Sequence, residues 1–380
     1  MRRRLARIFG LLVLWSVATG VALAVEDARP ASPQEVEVFV RRQEGYHTFR
    51  IPALAVSMRG TILAFAEGRK TSSDDSGDID LVLRRSHDGG QTWGPLQVIA
   101  DAGPHTYGNP CPVVDRVTGR IWLPFCWNDG QNSVQENKRG TGRGEREVYL
   151  TYSDDDGATW ASPKNITSSV KREEWTWYAT GPGCGIQLED GRLVIPCNHR
   201  IQGKPDDNSL SHVIYSDDHG QTWQIGGAVP EEKTNEAQVV ELTDGRLLLN
   251  MRSHHGRNRR AISTSPDRGA TWSPVTFDET LLDPACQASI VRLAPGKHGR
   301  ARLVFANPAS RQRENLTVRV SYDDGQTWPV AKVIYPGGSA YSSLAPLPNN
   351  QIGCLYEKDH YQRLVFVTID LDWLEQPQPE

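Results

Sequence analysis

Arg50 stands in the run YHTFRIPAL, directly before Ile51-Pro52 and between apolar residues. A guanidinium keeps its charge at physiological pH, and its planar fork of donors matches a carboxylate. In a strand, such an arginine either reaches solvent or points to a ring centre that holds an anion. Arg69 closes the run GTILAFAEGR and leads into the polar loop KTSSDDSG, which carries Asp74 and Asp75. Asn235-Glu236-Ala237 precedes another strand-like stretch, followed by GRLLLNMR, which ends at Arg252. Arg311 and Arg313 lie in RQRENLT, Tyr341 in GSAYSS and Glu357 in CLYEK. Taken singly, these residues have plain structural readings. A strand-end arginine is usually a surface charge, an Asp in a Ser/Asp loop a turn residue, and a Tyr before serines a packing residue. Chemistry requires that they meet. No metal or cofactor is expected. The six cysteines, Cys111, Cys126, Cys184, Cys197, Cys286 and Cys354, lack zinc-ligand spacing, and His254-His255 reads as solvated on a polar turn.

A repeat supplies the scaffold. The frame Ser-x-Asp-x-Gly-x-Thr-Trp starts at Ser86, Ser153, Ser216, Ser265 and Ser321. In each copy the Asp can accept backbone N–H groups, the Gly permits positive φ, and the Trp anchors the turn. Strand-like runs such as IDLVLRRS and REVYLTYS precede most copies, so each box reads as a hairpin turn in an all-β unit. The boxes report fold, and function must come from other residues.

The boxes recur at intervals of 67, 63, 49 and 56 residues. The rest of the chain has room for one further unit without a box. A closed ring of six four-stranded antiparallel blades fits this spacing better than five, and closure removes exposed sheet edges. Val36–Arg42 and Arg363–Leu371 read as strands that share the last blade. The expected organisation is a signal segment at 1–24, a flexible leader at 25–35, one domain at 36–372 and a tail at 373–380. Asn128–Glu145 and Asn198–Asn208 read as polar surface loops. Trp175-Thr176-Trp177-Tyr178 reads as core filler or a ligand rim.

The first residues have the pattern of an export signal: basic Arg2, Arg3, Arg4 and Arg7, an apolar stretch from Ile8 to Leu23, and Ala22-Leu23-Ala24 for cleavage. A secreted or periplasmic protein is expected, without membrane insertion after cleavage. Losing those arginines takes the formal charge from −4 to −8, which argues against nucleic acid or anionic membrane as partner. Cys184/Cys197 and Cys111/Cys126 flank turns symmetrically, so disulfides are open to them. Buried thiols are the favoured reading, because a large core needs no crosslinks. The sequons at Asn165 and Asn315 read as incidental.

With FRIP at Phe49–Pro52, the boxes and the other motifs in order, the chain resembles the secreted bacterial type of exo-α-sialidase (neuraminidase). The resemblance covers about Val36 to Leu371 and implies a six-bladed β-propeller with the site at its central mouth. It implies that Arg50, Arg252 and Arg313 grip the sialic acid carboxylate, with Arg311 as the alternative to Arg313. It makes Tyr341 the nucleophile, Glu236 its partner, and Asp75 the acid/base, with Asp74 as fallback. Arg69 would support substrate binding, and Glu357 would hold Arg50 in place.

Those roles suit the substrate. Three guanidinium groups hold a permanently charged carboxylate. A neutral tyrosine avoids the repulsion that an anionic nucleophile would meet, and an adjacent base activates it. The tyrosine nucleophile is the recognised sialidase exception among glycosidases. Double displacement implies retention at the anomeric carbon. The implied substrates are sialylated glycoproteins, glycolipids and oligosaccharides, acted on by a monomer. The competing readings are a non-catalytic sialic-acid-binding propeller, and a hydrolase or transferase for a related ulosonic acid.

Overall fold

The computed structural model describes residues 33–204, 208–294 and 301–376. The expected export signal and residues 25–32 of the leader lie outside the described residues, as does the end of the tail. The fold is all-β and antiparallel almost throughout. Its simplest sheet runs Thr234–Glu241, Leu247–Ser253, Arg259–Ser265 and Thr276–Leu282, each strand paired to the next. The same meander starts at Thr48–Val56, passes through Ile62–Arg69 and Ile79–Ser86, and reaches Gln97–Ala100. Val330–Leu347 serves two meanders, pairing first with Glu314–Ser321 and then with Gln351–Lys358.

The chain ends meet as expected. Gln34–Val40 pairs with Arg363–Asp370, placing Val36 opposite Phe366. This first strand starts at Gln34, inside the expected leader. The last gives way to a short helix, Leu371–Glu375, which buries Leu371 and Leu374 and is capped by Asp370. Structure therefore continues past 372, because Leu374 also finds a place in the core.

Core clusters form between successive sheets. Val194 and Val213 pack with Val239, Leu249 and Ala261 of the next sheet. Inner strands are thus covered on both faces, which explains why Thr48–Val56 and Ile62–Arg69 read as continuous apolar runs.

All five boxes share one hydrogen-bond pattern. The Ser hydroxyl donates to the Asp carboxylate at 2.7–2.8 Å. The Gly N–H donates to that hydroxyl at 2.8–2.9 Å. The Thr N–H donates to the Asp at 2.8–2.9 Å. The glycine is needed twice over at Gly90. It has φ +92°, and a Cβ there would lie 2.0 Å from Phe366 of the neighbouring sheet.

The two polar loops differ from expectation. Asn128–Glu145 contains a helix at Val134–Arg139. Ser133 caps it by accepting from Glu136 N at 3.2 Å, and Glu136 accepts from Ser133 N at 2.7 Å. This reciprocal cap, Ser-x-x-Glu, was present in the sequence. In Asn198–Asn208, the first residues continue strand Leu193–Ile201, where Asn198 and His199 are both buried. The His199 ring stacks on Trp175 at 3.7 Å. All six cysteines are free thiols. Among the described residues, no helix is long and apolar enough to cross a membrane.

Candidate active site

The first strand of a meander begins where the second one ends. That edge gathers residues far apart in sequence: Thr48 pairs with Arg69, Thr234 with Ser253, and Ser339 with Lys358. Each of these pairings carries a register shift, at Arg50/Ala53, Thr234/Ala237 and Ser339/Ser342. A bulge re-aims side chains beside it. Here the first shift starts at Arg50, and the other two bracket Glu236 and Tyr341. A fourth shift, at Trp175/Tyr178, brackets Trp177. The third strands run the opposite way, so the boxes lie at the other end of the sheets.

Tyr341 is buried and donates its phenol proton to Glu236 Oε1 at 2.6 Å. Arg252 Nη1 donates to Glu236 Oε2 at 2.7 Å and to the Tyr341 oxygen at 3.0 Å. Burial pushes the phenol well above its ordinary range, and Glu236 adds to this against the pull of Arg252 and Arg313. Burial also acts to raise the Glu236 carboxyl, but Arg252 and the phenol hold it below the ordinary range. The resting pair is a neutral phenol on a carboxylate.

Glu357 is almost wholly buried and organises the other side. It accepts from Arg50 Nε at 2.6 Å, from Ile51 N at 3.0 Å and from Tyr341 N at 3.0 Å. Ile51 has φ +60°, a strained conformation for a β-branched residue, and this bond helps to hold it. Burial would weaken the Arg50 charge, but Glu357 more than offsets it and the group stays protonated. Arg50 and Arg313 each stand 5.5 Å from the Tyr341 ring centre. Three arginines therefore surround one phenol.

Asp75 meets Arg69 Nη1 at 2.8 Å and Arg50 Nη1 at 3.9 Å. Its side chain is largely open to solvent; partial desolvation acts to raise its carboxyl, but Arg69 and Arg50 outweigh that and hold it below the ordinary range. Asp74 is exposed, its N–H bound to Ser72. Arg313 turns inward, and its Nη1 donates to Tyr361 at 2.9 Å, whereas Arg311 is exposed. The structure thus brings Arg50, Arg69, Asp75, Glu236, Arg252, Arg313, Tyr341 and Glu357 together. His254 and His255 are half-buried rather than solvated, close to Asn235 and Ser253 respectively.

Several supporting residues were missed from sequence. Tyr361 lies under Arg50 at 4.0 Å. Glu67 binds Arg69 at 2.6 Å and accepts from Asn109 N at 2.9 Å. Arg146 donates to Asn109 Oδ1 and Asn128 Oδ1, each at 2.6 Å, and stacks on Trp177 at 4.0 Å. Gln287 donates to Ser342 O at 2.9 Å and accepts from Ser342 N at 3.0 Å, fixing the backbone next to Tyr341. Of the aromatic run, Trp175 and Tyr178 are core, while half-buried Trp177 donates to Asn198 Oδ1 at 3.0 Å. The helix at Val134–Arg139 brings Lys138 to the same mouth. Burial, Arg200 and Arg252 hold its ammonium below the ordinary range, and Asp75 and Glu236 are within electrostatic reach.

A family described as a BNR repeat-like domain matches residues 60–354. The chain is 38% identical over 358 residues to a sialidase of Micromonospora viridifaciens, covering 90% of this chain and 54% of that protein. It therefore spans about half the length of that relative. It is 36% identical over 346 residues to an exo-alpha-sialidase of Arthroderma benhamiae, covering 84% of this chain and 80% of that protein. The solved structure of Hadza microbial sialidase Hz136 superposes with a TM-score of 0.79 at 33% identity, covering 87% of this chain and 67% of that one. The fold and the repeats define a BNR-repeat protein. Within that class, the chain belongs to the sialidase family of glycoside hydrolases.

Proposed function

We infer that the protein is an exo-α-sialidase that releases terminal α-linked sialic acid from glycoconjugates with retention. The observation that carries this reading is the 2.6 Å bond from Tyr341 to Glu236 inside a ring of arginines. Arg50, Arg252 and Arg313 would bind the substrate carboxylate, which sets the anomeric carbon over the phenol oxygen. Glu236 takes the phenol proton as Tyr341 attacks, forming an aryl glycoside bond between the anomeric carbon and the Tyr341 oxygen as the original glycosidic bond breaks. Asp75 gives its proton to the departing oxygen. The same carboxylate then removes a proton from water, which attacks the anomeric carbon from the vacated face. The Tyr341 oxygen leaves and recovers its proton from Glu236. Two inversions give net retention.

Asp75 must be protonated to act as an acid, and its low resting pKa has an answer in the substrate. A carboxylate bound at Arg50 cancels part of the positive field and adds a negative one, so it raises the pKa of Asp75. Binding thereby arms the acid.

The scaffold reading is a six-bladed β-propeller. It is supported by the repeated meanders, by the pairing of the first and last strands, and by likeness to solved sialidases.

Hydrolysis of an α-linked N-acetylneuraminic acid conjugate, followed by proton NMR, tests the reaction. The α-anomer is expected as the first product, before mutarotation. Initial release of the β-anomer would overturn the double-displacement reading.

A further inference from the structure

Lys70 follows Arg69 in the chain but takes no part in the site described above. Its ammonium lies among three carboxylates, 2.8 Å from Asp78, 3.1 Å from Asp80 and 3.5 Å from Asp101. Asp80 is almost wholly buried and also accepts from the Tyr46 phenol at 2.6 Å. The backbone closes at the same place, where Lys70 N donates to Asp78 O at 3.0 Å. These contacts form the neck of the loop that carries Asp75, since residues 71–77 run out from Lys70 and return at Asp78. They tie that neck to strand Ile79–Ser86 through Asp80, and to the end of the outer strand Gln97–Ala100 through Asp101.

Asp75 has little packing of its own, because its side chain is mostly open to solvent. At rest its charge pairs it with Arg69 at 2.8 Å. To serve as an acid, the carboxyl must take up a proton, and it then loses most of its attraction to Arg69. The loop needs ties that do not depend on the charge of Asp75. On the far side, Ser76 donates to Asn132 O at 2.6 Å, and Gly77 N donates to Thr106 Oγ1 at 3.0 Å. At the neck, the Lys70 ammonium offsets three like charges that would otherwise repel one another. Without it, Asp78 is pushed away from Asp80 and Asp101, and the neck opens.

We propose that Lys70 is a positioning residue for general-acid catalysis: by pinning Asp78, Asp80 and Asp101 it holds the neck of the loop so that Asp75 meets the departing oxygen. The proposal rests on the sialidase reading above and on Asp75 as its acid. Lys70 touches neither the substrate nor the reacting atoms. Its loss therefore falls on the step that needs a proton, and spares the grip of the arginines and the attack of Tyr341.

The test compares kcat/KM for sialyllactose, whose leaving oxygen needs a proton, with kcat/KM for α-sialyl fluoride, whose leaving group needs far less help. It uses the wild type, Lys70→Met, Lys70→Arg, Asp75→Asn and the double variant Lys70→Met/Asp75→Asn. Misplacement by about 1 Å can cost about 10²-fold, so Lys70→Met is expected to lower the sialyllactose value by about 10- to 10²-fold. The fluoride value should barely move, and it also reports the folded fraction. Lys70→Arg keeps the charge and should recover most of the loss. In Asp75→Asn, adding Lys70→Met should cost little more, because Lys70 acts through Asp75. If Lys70→Met fails to fold, Lys70→Gln carries the same comparison. Equal losses on both substrates, no loss on either, or a full further loss in the Asp75→Asn background would overturn the pin. An Asp75→Asn variant that loses as much on the fluoride as on sialyllactose would overturn Asp75 as the acid, and the pin with it. Failure of the wild type on both sialosides would instead overturn the sialidase reading.

Discussion

The Tyr341 phenol and the Glu236 carboxylate share one short hydrogen bond of 2.6 Å, and Arg252 donates to the phenol oxygen and to the other carboxylate oxygen, Oε2. Groups coupled in this way fail together. Glu236→Gln is expected to lower kcat by about 10²- to 10⁴-fold, the range for loss of a positioned base. Tyr341→Phe should cost at least as much. The double variant should be scarcely worse than the poorer single one, because each loss already disables the unit. A cycle of kcat/KM values measures this, and additive losses would contradict the coupling.

Glu357 carries a second, structural load. It binds Arg50 and the N–H groups of Ile51 and Tyr341, and it is 1% exposed. Glu357→Gln removes the charge but keeps the shape, leaving a buried guanidinium without its counter-ion. Breaking such a pair costs about 3–5 kcal/mol. Urea unfolding should report that loss, together with a raised KM. An unchanged midpoint would show that Arg50 finds another partner.

Asp75 gives a proton-linkage prediction. In the free protein Arg69 and Arg50 hold its carboxyl below the ordinary range, so it is ionised in weak acid. A bound carboxylate raises its pKa. Between the free and bound values, binding must take up protons. Calorimetry of a non-hydrolysable sialic acid analogue at about pH 5, in buffers of different ionisation enthalpy, should show this uptake. Asp75→Asn should abolish it. The same variant should hydrolyse sialosides with poor leaving groups about 10²- to 10⁴-fold more slowly. Uptake that persists in Asp75→Asn would assign the proton elsewhere.

The His199 and His212 pair links stability to pH. Their Nδ1 atoms lie 3.1 Å apart within the core. Burial, with Arg172 adding to it, depresses His199 to about 3. Burial and the neighbouring His199 hold His212 well below the ordinary value. Both rings are therefore neutral in the fold, while the unfolded chain takes up protons near the ordinary histidine pKa of about 6.5. The stability gained by keeping them neutral is complete above that value and is lost as pH falls toward the folded pKa. Melting temperature should drop between about pH 7 and pH 4. The His199→Gln/His212→Gln variant should show a flatter slope, and an equal slope would place the proton-sensitive groups elsewhere.

What the sequence revealed depended on how local the cause was. The boxes were legible because Ser86, Asp88, Gly90 and Thr92 bond to one another within a single turn. Tyr341, Glu236 and Arg252 could be named because short motifs surround them. Glu67, Asn109, Arg146 and Tyr361 could not, since each acts through partners supplied by other turns of the chain. The Asn-Leu-Thr that closely follows Arg313 favours it over Arg311, and the turn shaped by the Ala309–Asn315 bond does send Arg313 inward. The helix at Val134–Arg139 was legible in principle, since Ser133 and Glu136 spell its cap.

The central claim is that Tyr341 attacks the anomeric carbon. A sialyl fluoride with a second fluorine at C3 forms the covalent intermediate readily, because fluoride leaves well, and then turns over slowly, because C3 fluorine disfavours the cationic transition state. Peptide mass spectrometry after brief exposure should find the glycosyl group on the peptide that contains Tyr341, and no adduct in Tyr341→Phe. An adduct on another residue, or rapid turnover with no adduct at all, would contradict the account.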